Sequence, residues 1–477
     1  MGVDSYECLF WSLSALAGEI KAKRISPVEV TEKLLNRIHE IDQTYNSYIT
    51  VMEETAREAT KKTETEIMGG NYRGPLHGVP IGLKDIINTK NARTTMGSEI
   101  FKDYIPDCDA TVVEKLEQAG AIIIGKLNTH QFAYGPTGDR SYFGPARNPL
   151  DPTKITGGSS SGSGASVAAY LNYGALGTDT SGSIRIPATL CGIVGMKPTF
   201  GRVSKYGVFP LSWTLDHVGP MTRTVRDNAL MLNVLSGYDE KDPYSVKTEQ
   251  EDFTRRLEEG IEGAVVGVPT NFYFDHLDPV VAEKVSGSLN LLRELGAEVR
   301  ELEIDRLEEI SQSQQLVLKS DAYAIHKERR EGYPDQWDEE VKERLLLGAD
   351  IKAYEYARAQ QMRHVAVQSF QKAMENVSVL VTPSLPILAP DIGQRELDLP
   401  GYEGQHIRWA LIRLPGPTNV NGFPSLTVPC GYSDTGLPVG LQFIGRPFDE
   451  ATLYRFGHAF EQALGLENRL ETFKKTI

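Results

Sequence analysis

Three stretches of the 477-residue sequence hold residue types that could break a covalent bond. The first is Lys84, the only cation in the apolar run from Val79 to Ile87, with Asp85 beside it. A lysine at the end of a buried strand is costly to desolvate, so burial lowers its pKa and lets the neutral amine act as a base. The alternative is a structural lysine paired with Asp85. The second stretch is Gly157-Gly158-Ser159-Ser160-Ser161-Gly162-Ser163-Gly164. A phosphate-cradling GxxxxGK[ST] loop would need a lysine that is missing here. Ala165 to Leu171 has helical character, so this loop would enter a helix N-terminus, where free N–H groups and a partial positive charge face outward. The third stretch is Gly177-Thr178-Asp179-Thr180-Ser181-Gly182-Ser183-Ile184-Arg185-Ile186-Pro187. Small residues around one serine let backbone N–H groups converge on a substrate oxygen, as an oxyanion hole requires. A serine hydroxyl is a weak nucleophile and needs a base. A Ser-His-Asp arrangement would draw that base from His77, His130 or His217, but the GxSxG elbow of that chemistry does not surround Ser183.

Elements that could position these residues follow an α/β rhythm. Leu76 to Asp85 is expected to be a buried strand that delivers Lys84 to its end. Asp109 is placed to cap a helix carrying Val112, Val113 and Leu116, stopped by Gly120. Ala121 to Gly125 is a strand that is apolar at nearly every position, as in a sheet covered on both faces. The segment from about 135 to 220 is rich in glycine, serine and threonine and poor in charge, which suggests backbone packed around a site. Beyond it, strands are expected at Ala264–Pro269, Val299–Ile304, Val379–Val381, Leu426–Pro429 and Val439–Ile444. Helices are expected at Pro279–Leu295 and Glu450–Leu464. At the N-terminal end, Ser26-Pro27 starts a helix bearing Val30, Leu34, Ile38 and Ile41 on one face, and a charged helix runs from Glu53 to Met68. The expected organisation is a helical cover over residues 1–70 and a core over 71–477 with a charged helical insertion near 325–376, all in one unit. Alternating helix and strand place the chain in the α/β class.

Composition narrows the partners. The chain has 50 Lys plus Arg against 64 Asp plus Glu, a net charge of −14. That balance argues against a surface that grips nucleic acid or an anionic membrane. Hydrophobic residues make up 40% and charged residues 24%, close to the roughly 25% charge of an ordinary globular domain. Cys8, Cys108, Cys191 and Cys430 lie far apart with no CxxC pair or zinc spacing, so a reducing compartment is expected and no metal site. Acids and bases such as Asp4, Glu7, Glu19 and Lys21 break the first thirty residues, and no apolar run reaches 18, so neither a signal peptide nor a membrane span is expected. The expected location is the cytoplasm.

Lys84, the serine-glycine loop, and Ser183 within Thr180-Ser181-Gly182-Ser183-Ile184-Arg185 together resemble the amidase signature family. Ser159 and Ser183 stand 24 residues apart (183 − 159), as the family pattern has them. Gly78-Val79-Pro80-Ile81-Gly82-Leu83-Lys84-Asp85, Cys191 to Thr199 and Gly440 to Pro447 add to the resemblance, which spans about residues 10–465. It implies a large mixed β-sheet core covered on both faces by helices. It also implies a Ser-cisSer-Lys triad without cofactor: Ser183 as nucleophile, Ser159 as proton relay after a cis peptide bond, and Lys84 as base. Backbone N–H groups of Thr180, Ser181, Gly182 and Ser183 would line the oxyanion hole. Two positions depart from the family, where GGSSGGS and TDTGGS are common: Ser161 and Ser181 replace glycines. If either needs φ > 0, serine costs about 1 kcal/mol. Asp179 and Arg185 are expected to fix the loop through a buried pair or through backbone hydrogen bonds, with His217 a neighbour of the site and Cys191 packed.

The same resemblance covers two functions. One is a free-standing amidohydrolase acting on a small carboxamide or anilide. The other is the A subunit of glutamyl-tRNA(Gln) amidotransferase, which releases ammonia from glutamine while a partner subunit holds the tRNA. Ala133 to Ser141, Pro210 to Pro220 and Gly416 to Gly422 look more like the free-standing enzymes. Where Thr214 to His217 stand, the A subunit more often has Ser-Leu-Asp-Gln. Ala133, Tyr134, Trp213 and Trp409 are candidates for an acyl pocket suited to an aryl or bulky apolar amide. Arg408 or Arg413 could meet the carboxylate of glutamine. The expected partners are a small-molecule amide and at most a second copy of the chain as a homodimer, with no direct contact to nucleic acid or membrane. A partner subunit belongs only to the transamidase alternative.

Overall fold

Ser26 starts a helix as its sequence predicts: its Oγ accepts from the Val28 N–H at 3.0 Å and Pro27 fills the first helical position. The computed structural model describes residues 6–465, so the extremes of the two expected regions, residues 1–5 and 466–477, lie outside it. Three helices lead the chain, α1 (Leu13–Lys21), α2 (Pro27–Tyr45) and α3 (Glu53–Met68), with strand β1 (Tyr48–Val51) between the last two. Val30, Leu34 and Ile38 on one face of α2 are buried. Next come β2 (Pro80–Lys84), α4 (Thr111–Gln118) and β3 (Ile122–Leu127). The cap of α4 differs from expectation. Ala110 occupies that position, and the Asp109 carboxylate accepts from the Lys90 N–H at 2.7 Å instead.

The glycine- and serine-rich stretch is regular structure. It forms β4 (Arg147–Asn148), β5 (Asp151–Ile155), α5 (Ser161–Ala168), β6 (Gly174–Asp179), α6 (Arg185–Leu190), β7 (Val194–Lys197) and β8 (His217–Thr222). Glycines let these elements approach closely. A Cβ on Gly162 would stand 2.3 Å from the Ser47 carbonyl oxygen and the Asn128 nitrogen. The chain continues through α7 (Val225–Leu235), β9 (Val265–Pro269), α8 (Pro279–Glu294), β10 (Glu298–Leu302), α9 (Leu307–Gly332), α10 (Glu339–Leu346) and α11 (Ala353–Ala373). It closes with β11 (Val379–Pro383), α12 (Arg408–Arg413), α13 (Pro417–Asn421), β12 (Ser425–Tyr432), β13 (Pro438–Ile444) and α14 (Glu450–Leu464). The charged helical region begins at Leu307, well before 325. Its early part carries buried Ile310, Gln314, Val317 and Leu318, so low charge hid the helix start from a reading based on charge.

Eleven strands form one sheet in the order β1-β3-β2-β6-β8-β7-β12-β13-β11-β9-β10. It is mixed: β2 runs parallel to β3 and β6, β9 runs parallel to β10 and β11, and the centre is antiparallel. Every residue of β2, β3, β6, β8, β11 and β13 is buried, so helices cover both faces. Because β2 and β6 are parallel neighbours, their C-terminal ends emerge side by side. Those ends carry Lys84 and Thr178-Asp179. Ligand crevices of open α/β sheets lie at such strand ends.

Candidate active site

Lys84 closes β2 and is fully buried. Its Nζ lies 2.7 Å from Ser159 Oγ and 2.7 Å from Thr178 Oγ1. It makes no pair with Asp85. That carboxylate faces the Nζ of Lys126 at 3.6 Å and accepts from the Thr95 N–H at 2.8 Å. Burial brings the Lys84 pKa down to about 7, against the opposing pull of the Asp216 and Asp179 carboxylates. A neutral lysine is therefore populated near neutral pH.

Ser159 follows a cis peptide bond from Gly158, just before α5 begins at Ser161. It is fully buried, whereas Ser183 is 7% exposed. Lys84 and Ser159 thus form an inner pair, and Ser183 stands nearer the surface. Ser160 takes no part in that pair, since its Oγ exchanges hydrogen bonds with the Thr178 backbone, both at 3.2 Å.

The loop after β6 is anchored by Asp179 and Arg185. The guanidinium meets both carboxylate oxygens at 3.0 Å and also donates to Pro415 O, Thr418 Oγ1, Asn419 Oδ1 and Gln442 Oε1. Burial would raise the Asp179 carboxyl, but the Arg185 guanidinium outweighs it and holds the group well below the usual carboxylate range. Asp179 in turn accepts from the Gly182 N–H at 2.7 Å and the Ile184 N–H at 3.2 Å. This corrects one expectation: the Gly182 N–H is bound to Asp179 and does not face a substrate. The N–H groups of Thr180, Ser181 and Ser183 have no acceptor among the described residues. Gly182 sits at φ +112°, where a Cβ would come 2.6 Å from Pro415 Cγ, so no other residue fits. Ser161 and Ser181 both keep negative φ, and the strain considered for them does not arise.

A cavity of about 240 Å³ opens beside this loop. Ala133, Thr178, Thr180, Trp213, Asp216 and His217 line it, with apolar walls from Ile86, Val208 and Phe209. Trp213 is 43% exposed at its rim. Of the four acyl-pocket candidates, Ala133 and Trp213 thus line this cavity, and the other two do not. Tyr134 is buried under the Arg344 guanidinium, 4.3 Å from the ring centroid. Trp409 packs with Arg408 and lines a separate cavity of about 370 Å³ together with Arg413. Arg413 is engaged there by Glu308 at 3.1 Å and the Phe272 carbonyl at 2.9 Å. Both residues lie on α12, whose side chains meet this second cavity, and linear sequence gives no means of seeing that.

The histidines are engaged elsewhere. His217 Nδ1 lies 2.7 Å from the Leu215 carbonyl and Nε2 lies 3.3 Å from Lys197 Nζ, and burial holds the ring neutral. His77 pairs with Glu66 at 3.2 Å. Burial lowers the His130 pKa to about 4. Cys191 is buried, and no set of three His, Cys, Asp or Glu side chains poised for a metal occurs among the described residues. Nor is any helix among them long and apolar enough to cross a membrane.

Three residues of the site escaped the sequence. Thr178 is visible only once β6 is known to lie beside β2. Asp216 accepts from Thr180 Oγ1 at 2.6 Å and from the Leu211 and Ser212 N–H groups. Its signal was an acid in an apolar segment, overlooked in favour of His217. Gln314 on α9 donates to the Thr180 carbonyl at 3.1 Å and had no signal at all.

A family model described as Amidase matches residues 29–454. The A subunit of the glutamyl-tRNA(Gln) amidotransferase of Geobacter metallireducens is 39% identical, covering 95% of this chain and 97% of that one. The corresponding A subunits of several other bacteria align at 37–38% identity. An amidase of Pseudomonas putida is also 39% identical, over 95% of this chain and 96% of its own. The crystal structure of a bacterial aryl acylamidase of the amidase signature family superposes with a TM-score of 0.89 at 28% identity, covering 97% of this chain and 98% of that one. Sequence and fold agree, and the chain belongs to the amidase signature family of amide-hydrolysing enzymes.

Proposed function

We propose that the chain cleaves a carboxamide C–N bond by acyl transfer to Ser183, with Ser159 and Lys84 moving the proton. One observation carries this reading: a fully buried lysine with its pKa at about 7 lies 2.7 Å from the hydroxyl of Ser159. Ser183 Oγ bonds to the amide carbon while its proton passes to Ser159 Oγ, whose own proton passes to neutral Lys84. The carbonyl oxygen gains the negative charge and meets the N–H groups of Thr180, Ser181 and Ser183. Preorganised donors of this kind supply the largest share of such catalysis. Ser159 then returns a proton to the nitrogen as the C–N bond breaks, and is itself resupplied by the Lys84 ammonium. Water repeats the relay on the acyl-enzyme and frees the acid. Thr178 accepts from Lys84 throughout, which orients the amine toward Ser159.

Two substrate classes suit this centre. The apolar walls and Trp213 favour a free-standing hydrolase of aryl or bulky apolar amides. The second reading is the glutaminase component of an amidotransferase, and the relatives weigh more toward it than toward the first. Lys205 and Asp216, which line the same cavity with opposite charge, would meet the carboxylate and ammonium of glutamine. In that case a partner subunit would hold the tRNA. Ammonia release from glutamine and aliphatic amides, and aniline release from anilides, measured in parallel on the purified chain, separate the two. Turnover of anilides or aliphatic amides by the chain alone supports the hydrolase. Glutamine turnover that depends on a further subunit supports the amidotransferase.

A further inference from the structure

We infer that Gln314 is a positioning residue for the oxyanion-binding peptide between Thr180 and Ser181. This rests on the reading of Ser183 as nucleophile. Gln314 stands on α9, more than 130 residues from the nucleophile loop in sequence, and is 1% exposed. Its Nε2 donates to the Thr180 carbonyl at 3.1 Å and also contacts Ser181 Oγ. Its Oε1 accepts from Gln315 Nε2 at 2.6 Å, which settles which end of the amide faces the loop.

The Thr180 carbonyl and the Ser181 N–H belong to one rigid peptide plane and point in opposite directions across it. Holding the carbonyl therefore aims the N–H. Other groups restrain the peptides on either side: Asn419 Nδ2 donates to the Asp179 carbonyl at 3.1 Å, and the Asp179 carboxylate accepts from the Gly182 N–H at 2.7 Å. Only Gln314 restrains the plane between them, among the described residues. Donation to the carbonyl also polarises the peptide and strengthens its N–H as a donor. Ser181, where the family commonly has glycine, supplies the same amide with a second acceptor. The departure in the loop and the glutamine on the helix thus form a matched pair.

The test replaces the amide without changing its size. Gln314→Met removes the donor, and Gln314→Glu turns it into an acceptor facing a carbonyl. The readout is the rate at which a fluorophosphonate labels Ser183, measured from pH 5.5 to 9. In that reaction the serine oxygen bonds to phosphorus, fluoride leaves, the proton passes to the Ser159–Lys84 pair, and charge builds on the phosphoryl oxygen in the oxyanion hole. Both variants are expected to lower the plateau rate by about 10- to 100-fold. In Gln314→Met, which changes no charge, the midpoint near pH 7 stays in place, and the thermal midpoint of both variants stays within a few degrees. Labelling within twofold of the parent in either variant overturns the inference. So does a moved pH midpoint in Gln314→Met, or a rate loss that merely follows loss of folded protein. Ser183→Ala, run alongside, separates the two levels. If it still labels, the nucleophile assignment fails. If it is silent while the Gln314 variants react normally, only the positioning role fails.

Discussion

The protonation of Lys84 gives the sharpest prediction. Burial lowers its pKa from 10.5 to about 7. At pH 7 about half of the molecules then hold a neutral base, against roughly 0.03% for an unperturbed lysine, a difference of about a thousandfold. The value of kcat/KM, which follows ionisations of the free enzyme, should rise tenfold per pH unit below about 7 and level off above it. The neighbouring carboxylates supply an internal check. Asp216 and Asp179 both favour the charged amine, so removing the stronger opposing charge, Asp216, must lower the pKa further. Asp216→Asn should shift the rising limb toward lower pH. The assay is initial-rate hydrolysis from pH 5 to 9.5 for the parent and for this variant. A profile flat down to pH 5.5, a midpoint near 10, or a shift of the Asp216→Asn limb toward higher pH would each refute the reasoning.

Removing Lys84 should move stability the other way from activity. Because the folded pKa of Lys84 lies below its unfolded value, the unfolded chain binds more protons between about pH 7 and 10.5, and the buried amine destabilises the fold as pH falls through that window. Lys84→Met should therefore be inactive yet more heat-stable at pH 7, by a margin of order 4 kcal/mol before its lost hydrogen bonds are counted; calorimetry that finds it less stable contradicts this. Arg185→Met leaves the Asp179 carboxylate buried and unpaired, and should cost about 3–5 kcal/mol in denaturant unfolding along with most of the activity. Ser161→Gly should bring no stabilisation, because Ser161 keeps negative φ; a loss of about 0.5–1.5 kcal/mol is expected from its buried hydrogen bond to the Asn128 carbonyl, checked by denaturant unfolding.

Much of the architecture was legible because its signals are local. The apolar run ending at Lys84 is β2, the Ser26-Pro27 cap starts α2, and the charged segment from Glu53 to Met68 is α3. Lys84 and the two serine-glycine stretches stand out in sequence through an isolated cation and small residues, and the resemblance to the amidase signature family singles out Ser159 and Ser183 within them. What escaped depended on long-range pairing. Thr178 becomes a partner of Lys84 only through the parallel register of β2 and β6. Gln314 and Asp216 reach the nucleophile loop from separate elements. Trp409 and Arg413 resembled pocket residues by type and by nearness to a family-like segment, but α12 carries them to another cavity. The family resemblance places the Gly182 N–H in the oxyanion hole, whereas the carboxylate of the ion pair behind the loop takes it.

The central claim is that Ser183 is the nucleophile and that the buried Lys84–Ser159 pair activates it. Peptide mapping by mass spectrometry after treatment with a fluorophosphonate tests this most directly. The account predicts one phosphonylated residue, Ser183, in the parent chain, and labelling slowed by at least a hundredfold in Lys84→Met. Modification of a different serine, or equal labelling of Ser183 without Lys84, would contradict it.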